Sequence, residues 1–126
     1  ICVLMEVDTS CRLMEMDCLK TDALFNTQWK LDKAERLDYG QSLMTHAMVF
    51  TGVNLDESGR PDRWRVENSW GKEAGKDGYY VMSDEWFDEY TYQVVVNRKY
   101  LTKEQLEQYE SEPVVLEPWD PMGSLA

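Results

Sequence analysis

A chain of 126 residues with 43% hydrophobic side chains, five tryptophans and seven tyrosines can build one domain with a modest core, which argues against disorder. Its formal charge of −11 opposes sequence-independent binding to nucleic acid. No apolar run approaches the ~18 residues of a membrane span, and "ICVLMEV" at the start lacks the basic segment and cleavable apolar core of a signal peptide.

The first residue is Ile rather than Met, so the chain is read as a processed chain or a fragment. The cysteines are Cys2, Cys11 and Cys18 and there is one histidine. An odd cysteine count without C-x-x-C argues against a disulfide scaffold or a zinc knuckle, and one histidine argues against an all-protein metal site. No cofactor is expected, and a reducing, cytoplasmic setting fits best.

In chain order, "ICVLMEV" reads as a strand and "CRLMEMDCLK" as either a second strand or a short helix. "TDALF" opens a helical turn capped by Thr21 or Asp22. "LDKAERLDYG" reads as a short helix or turn, with Asp32 as its cap, Glu35 three residues on and Gly40 as its stop. Then the period changes. Ala47 to Val53 is an apolar, partly β-branched strand candidate, and "DESGRPD" is a turn. "RWRVENSW" alternates, with Trp64 and Val66 facing one side and Arg63, Arg65 and Glu67 the other. After the glycine-rich "GKEAGKDG", "YYVM" is a third strand, Ser83 or Asp84 caps "DEWFDEY", and Thr91 to about Arg98 is a fourth. The succession predicts an antiparallel, twisted sheet with short connections.

Thr102 and Gln105 form a capping-box pattern ahead of "KEQLEQYE", and Pro113 ends that helix. The tail "PVVLEPWDPMGSLA" holds three of the prolines and cannot be a regular helix; Leu116 and Trp119 are expected to lie against the body or a partner. From Glu104 onward the charged residues are Glu104, Glu107, Glu110, Glu112, Glu117 and Asp120, all acidic. The chain thus divides into 1–43, an incomplete N-terminal region; 44–101, the sheet core; and 102–126, a short helix and tail.

His46 opens one strand candidate and Asn68 closes another. Were those strands neighbours, both side chains would meet at one end of the sheet. An imidazole whose second nitrogen bonds an amide oxygen is held in one tautomer, and its free nitrogen can take a proton from a thiol or hydroxyl. Spacing alone leaves the blander alternatives open: a satisfied structural histidine and a turn-forming asparagine. Trp70 follows the pair and would shield it from water, or would serve as an ordinary core tryptophan. No nucleophile is evident. The three cysteines lack a setting that lowers a thiol pKa and read as buried or incidental. Ser42 has no defined attack geometry, and Ser69 points away from Asn68 if the strand continues.

"THAM", "VENSWG" and "GYYVM" together resemble the His and Asn segments of papain-like cysteine peptidases. With "DEWF", "VVVNRKYL" and "EPWDPMGSLA", the chain resembles the C-terminal portion of the bleomycin hydrolase and bacterial aminopeptidase C family, over roughly Met16 to Ala126. The resemblance implies an α+β, papain-like fold: an antiparallel, barrel-like lobe with short helices, without the nucleophile-bearing lobe. It implies His46 as catalytic base, Asn68 as its orienting amide and Trp70 as their shield. It also implies that the tail enters the active cleft. There the Ala126 carboxylate would meet a substrate's free α-amino group, with Leu125 and Ser124 alongside. The implied activity is removal of N-terminal amino acids from peptides through a thioester. The implied partners are peptides with free N-termini, the missing nucleophile-bearing segment and further copies in a ring-shaped homohexamer, without membrane or nucleic acid. The family's glutamine and cysteine motif matches nothing in this sequence, so the chain alone is expected to be inert. The alternative is a non-catalytic sheet domain used for assembly or ligand binding.

Overall fold

The computed structural model describes residues 2–3, 13–16, 21–26, 31–44 and 46–122. In chain order these form β1 (Cys2–Val3), β2 (Leu13–Met14), α1 (Thr21–Phe25), α2 (Lys33–Asp38), β3 (Val49–Leu55), β4 (Pro61–Glu67), β5 (Tyr79–Ser83), α3 (Asp84–Tyr90), β6 (Thr91–Gln93) and α4 (Lys103–Glu110), with a 3₁₀ turn at Arg98–Tyr100 before α4. Among the described residues no helix is long and apolar enough to cross a membrane.

The central sheet has the order β2-β5-β4-β3. β3 and β4 pair antiparallel, and β5 returns antiparallel to β4 with Trp64 opposite Met82 and Val66 opposite Tyr80. Along β4, Val66 is buried and Trp64 partly so, while Arg63, Arg65 and Glu67 are exposed. β3 bulges between Phe50 and Gly52, which adds twist at that point.

Two features correct the expected antiparallel, barrel-like lobe. β2 pairs with β5 in parallel, Leu13 opposite Val81 and Met14 opposite Met82, so the sheet is mixed. It also ends at β2 and β3 and does not close on itself. The anticipated fourth strand shrinks to β6, which leaves the sheet and pairs with β1. The cause is local. Ser83 ends β5 and at once caps α3, its side chain accepting from the Trp86 amide at 3.2 Å. α3 then runs against β4 and β5, so Thr91 emerges away from the sheet edge. Among the described residues Val94, Val95 and Val96 find no strand partner, and they stay 51%, 75% and 47% exposed.

The core lies between α3 and one face of the sheet. Met14, Met48, Val66, Tyr80, Met82 and Trp86 are buried together; at their margin Trp64 stacks on Phe87, and Phe50 meets both rings at a tilt. The Trp64 indole N–H donates to Asp84 at 2.8 Å, tying β4 to the first turn of α3. The opposite sheet face is left open, with Val49 58% and Val81 40% exposed opposite Glu67 and Arg65.

Both capping boxes form. Asp32 accepts from the Glu35 amide and Glu35 from the Asp32 amide, each at 2.9 Å, and Gly40 ends the turn with φ of 67°. Thr102 and Gln105 reciprocate at the start of α4. In the tail Leu116 is 45% and Trp119 79% exposed, with Val114 and Val115 at 85% and 89%, so among the described residues the body does not cover Trp119, and the partner half of the expectation stays open.

The β3–β4 turn is organised by one carboxylate. Asp56 Oδ1 accepts from the Ser58 amide, the Ser58 hydroxyl and the Arg60 amide at 2.8, 2.6 and 2.9 Å. The Ser58 hydroxyl first, then the Arg60 amide, hold the Asp56 carboxyl below its ordinary 3.8. A folded pKa below the unfolded one stabilises the fold above pH 3.8, and that contribution fades as pH falls through the depressed value. Asp56→Ala is therefore expected to lower the melting temperature at neutral pH. The difference from the parent should vanish in melts at strongly acid pH.

Candidate functional site

His46 reaches its place through a tethered segment. α2 is docked onto the end of α3: the Lys33 ammonium donates to the Thr91 carbonyl at 2.7 Å and to the Asp88 carbonyl, where the helix leaves acceptors unpaired. Arg36 pairs with Glu89 at 3.1 Å, with its own side chain 12% exposed. Ser42, fully buried, donates its amide to the Arg36 carbonyl at 3.0 Å and accepts from the Tyr92 hydroxyl at 2.8 Å. Met44 and Met48 are buried on either side of His46, which leaves the imidazole partly exposed between them.

Asn68 arrives from the other side, one step beyond the end of β4. Its amide donates to the Gly78 carbonyl at 3.0 Å, continuing the β4–β5 ladder past the Glu67–Tyr79 pair. Val49 lies opposite Glu67, which brings the start of β3 beside the end of β4. His46 Nε2 and Asn68 Oδ1 are 2.7 Å apart.

The hydrogen-bond directions follow from a neighbour. Asn68 Oδ1 also accepts from the Ser69 amide at 2.8 Å. A backbone N–H only donates, so the amide oxygen, not the nitrogen, must face it. The same oxygen meets His46, so Nε2 carries the proton and donates. In the neutral ring Nδ1 is then the atom with the free lone pair. Asn68 is 7% exposed, and among the described residues its buried Nδ2 has no hydrogen-bond partner.

Trp70 stacks on His46 at 5.3 Å between centroids and 27° between planes, and meets the Tyr80 ring edge-on at 6.1 Å and 89°. The indole is still 47% exposed, so it covers one face of the imidazole and keeps its own outer face open. Gly71 turns the chain away directly afterwards with φ of 85°.

The structure thus brings His46, Asn68 and Trp70 together. Leu125, Ala126 and Ser124 lie outside the described residues, as do Cys11 and Cys18, while Cys2 falls on β1. Ser42 is enclosed and bonded to Tyr92, which removes it as an attacking group. Ser69 does not extend the strand, because β4 ends at Glu67; its amide turns back onto Asn68. Among the described residues no set of three His, Cys, Asp or Glu side chains is placed to hold a metal. A shallow cavity of about 560 Å³ opens on the sheet, lined by Val53, Asn54, Arg63, Trp64, Arg65 and Val81, and includes none of the three site residues. Sequence reasoning missed the parts of Tyr80 and Tyr92. The inward phase of Tyr80 in "YYVM" was readable, but its contact with Trp70 requires the loop to fold back.

The model of the Peptidase C1-like family matches residues 2–123, and the chain belongs to that family. It is 61% identical to aminopeptidase C of Streptococcus thermophilus over 82% of this chain and 23% of that protein. It is 50% identical to human bleomycin hydrolase over 90% of this chain and 26% of that one. The crystal structure of PepW from Lactobacillus rhamnosis is similar with a TM-score of 0.84 at 50% identity, over 98% of this chain and 28% of that chain. The chain therefore spans about a quarter of the length of these relatives.

The tether that delivers His46 is testable. Burial holds the Tyr92 phenol above its ordinary 10.0, so it favours the fold below that pH, and the benefit is lost as pH rises through the raised value. Tyr92→Phe is expected to cost about 1 kcal/mol in denaturant unfolding at pH 7, because the Ser42 hydroxyl loses its donor. The variant should also show a shallower loss of stability above pH 10.0 than the parent.

Proposed function

We propose that this chain is the base-bearing part of a cysteine aminopeptidase that releases N-terminal amino acids from peptides. The observation that carries the reading is the bond from His46 Nε2–H to Asn68 Oδ1 at 2.7 Å, with the amide itself locked by Ser69. The printed names of the relatives, aminopeptidase C and bleomycin hydrolase, support the same class.

The chemistry begins on a cysteine supplied by the nucleophile-bearing segment, which this sequence does not contain. Its thiol proton passes to His46 Nδ1, giving a thiolate and an imidazolium steadied by the Asn68 carboxamide. The thiolate attacks the carbonyl carbon of the first peptide bond. His46 Nδ1–H then protonates the leaving amine as the C–N bond breaks, leaving a thioester. In the second half His46 takes a proton from water, the hydroxide attacks the thioester, and the cysteine leaves with its proton restored. Trp70 removes water from one face of the imidazole, which strengthens the Asn68 bond.

Selectivity for free N-termini belongs to the tail in this reading. The Ala126 carboxylate, beside Leu125, pairs with the substrate ammonium and blocks longer extension on that side. The assembly is a homohexamer in the cytoplasm, with peptides as substrates and no nucleic acid. The exposed apolar residues of the tail, Val114, Val115 and Trp119, fit a segment that is covered only in the complete enzyme.

In the complete enzyme, His46→Ala should reduce turnover of an aminoacyl reporter by about 10²–10⁴-fold. Parental rates would refute the assignment and favour a non-catalytic sheet domain. Deleting Leu125 and Ala126 should weaken the preference for free amino termini. Endopeptidase products in mass spectra of a digested peptide would register it; unchanged selectivity would count against the carboxylate clamp.

A further inference from the structure

We propose that Tyr80, gripped by the Gly75 turn, is a positioning residue that sets the tilt of the Trp70 indole and through it the orientation of the His46 ring. The inference rests on the reading of His46 as the base, but it concerns geometry that exists whether or not the enzyme turns over.

The contacts form a series. Trp70 lies on His46 with one face and meets Tyr80 with an edge, and these are its ring contacts among the described residues. The rest of the indole is open at 47% exposure, so its tilt is decided by what stands behind it. Tyr80 cannot yield. It is 1% exposed, lies opposite Val66 on β4, and is buried with Met14, Met48, Met82 and Trp86.

The loop between Trp70 and Tyr80 closes the grip. Gly78 donates to Ala74 at 2.9 Å, and Lys76 and Tyr79 exchange backbone bonds at 2.9 and 3.0 Å. This folds Gly75 down onto the tyrosine. A Cβ at Gly75 would stand 2.4 Å from the Tyr79 carbonyl oxygen and 2.8 Å from Tyr80 Cε2, and its φ of +63 independently favours glycine. The turn is therefore pressed against the ring with no room for a methyl group.

Among the described residues the buried Tyr80 hydroxyl has no hydrogen-bond partner, and the ring is the part that meets Trp70.

His46 is the sole histidine, so its imidazole signals in this chain are unambiguous by nitrogen and proton NMR. The parent is expected to show the Nε2-protonated tautomer, upfield-displaced carbon-bound ring protons from the stacked indole, and an Overhauser contact between the Trp70 and Tyr80 rings. Tyr80→Phe should preserve all three. Tyr80→Leu should lose the upfield displacement while keeping the Nε2-protonated tautomer that Asn68 fixes, and Gly75→Ala should move the signals the same way. A folded Tyr80→Leu chain with parental His46 signals overturns the proposal. Should Tyr80→Leu fail to fold, the parent decides: a missing Trp70–Tyr80 ring contact overturns the proposal, and its presence together with a parental Tyr80→Phe spectrum supports it. An active His46→Ala enzyme would defeat the catalytic reading while leaving these signals as they are, so the two failures are separable.

Discussion

The carboxamide oxygen of Asn68 accepts two hydrogen bonds, and the site depends on that double acceptance. The Ser69 amide, 2.8 Å away, dictates which end of the carboxamide faces inward. With the oxygen so placed, the imidazole at 2.7 Å has one tautomer open to it. The tautomer is therefore fixed from the backbone through the amide to the ring, while the stacked Trp70 indole bears on the tilt of the ring. Asn68 is itself anchored by the Gly78 carbonyl, so the end of the β4–β5 ladder ultimately aims the imidazole.

The two halves of the site are held by different kinds of interaction. Asn68 and Trp70 follow a hairpin whose register is set by the inward alternation of Trp64 and Val66 against Met82 and Tyr80. His46 instead ends a segment without regular structure and depends on contacts far away in sequence. Lys33 finds carbonyls at the end of α3, Arg36 finds Glu89, and Ser42 finds Tyr92. A cation is favoured at a helix C-terminus both by the unpaired carbonyls and by the helix dipole. α3 thus has two duties: it covers the core and it provides the dock from which the histidine segment is hung.

Burial is one-sided. The face of the sheet under α3 holds the core, whereas the other face shows Val49 and Val81 beside Arg63 and Arg65. The tail is likewise apolar, exposed and acidic. Membership of the Peptidase C1-like family and coverage of about a quarter of its relatives' lengths agree with such a one-sided body.

Much was legible in the sequence because it depends on near neighbours. Both capping boxes, the Gly40 stop, the Asp56 turn and the strands β3, β4 and β5 follow from short-range pattern. The segments bearing His46, Asn68 and Trp70 were found the same way, through their resemblance to a family. What failed was long-range. Val94 to Val96 have strand composition, yet a strand exists only where an edge is available, and α3 had already carried the chain off the sheet. The parallel partnership of β2 with β5 joins residues almost seventy positions apart, beyond any local period. So the order of residues determined the local conformations and the chemical groups at hand. Only the tertiary structure decided that the sheet is mixed and open, that Ser42 is a tether, and that Tyr80 stands behind Trp70, because each requires two distant segments to exclude water from the same place.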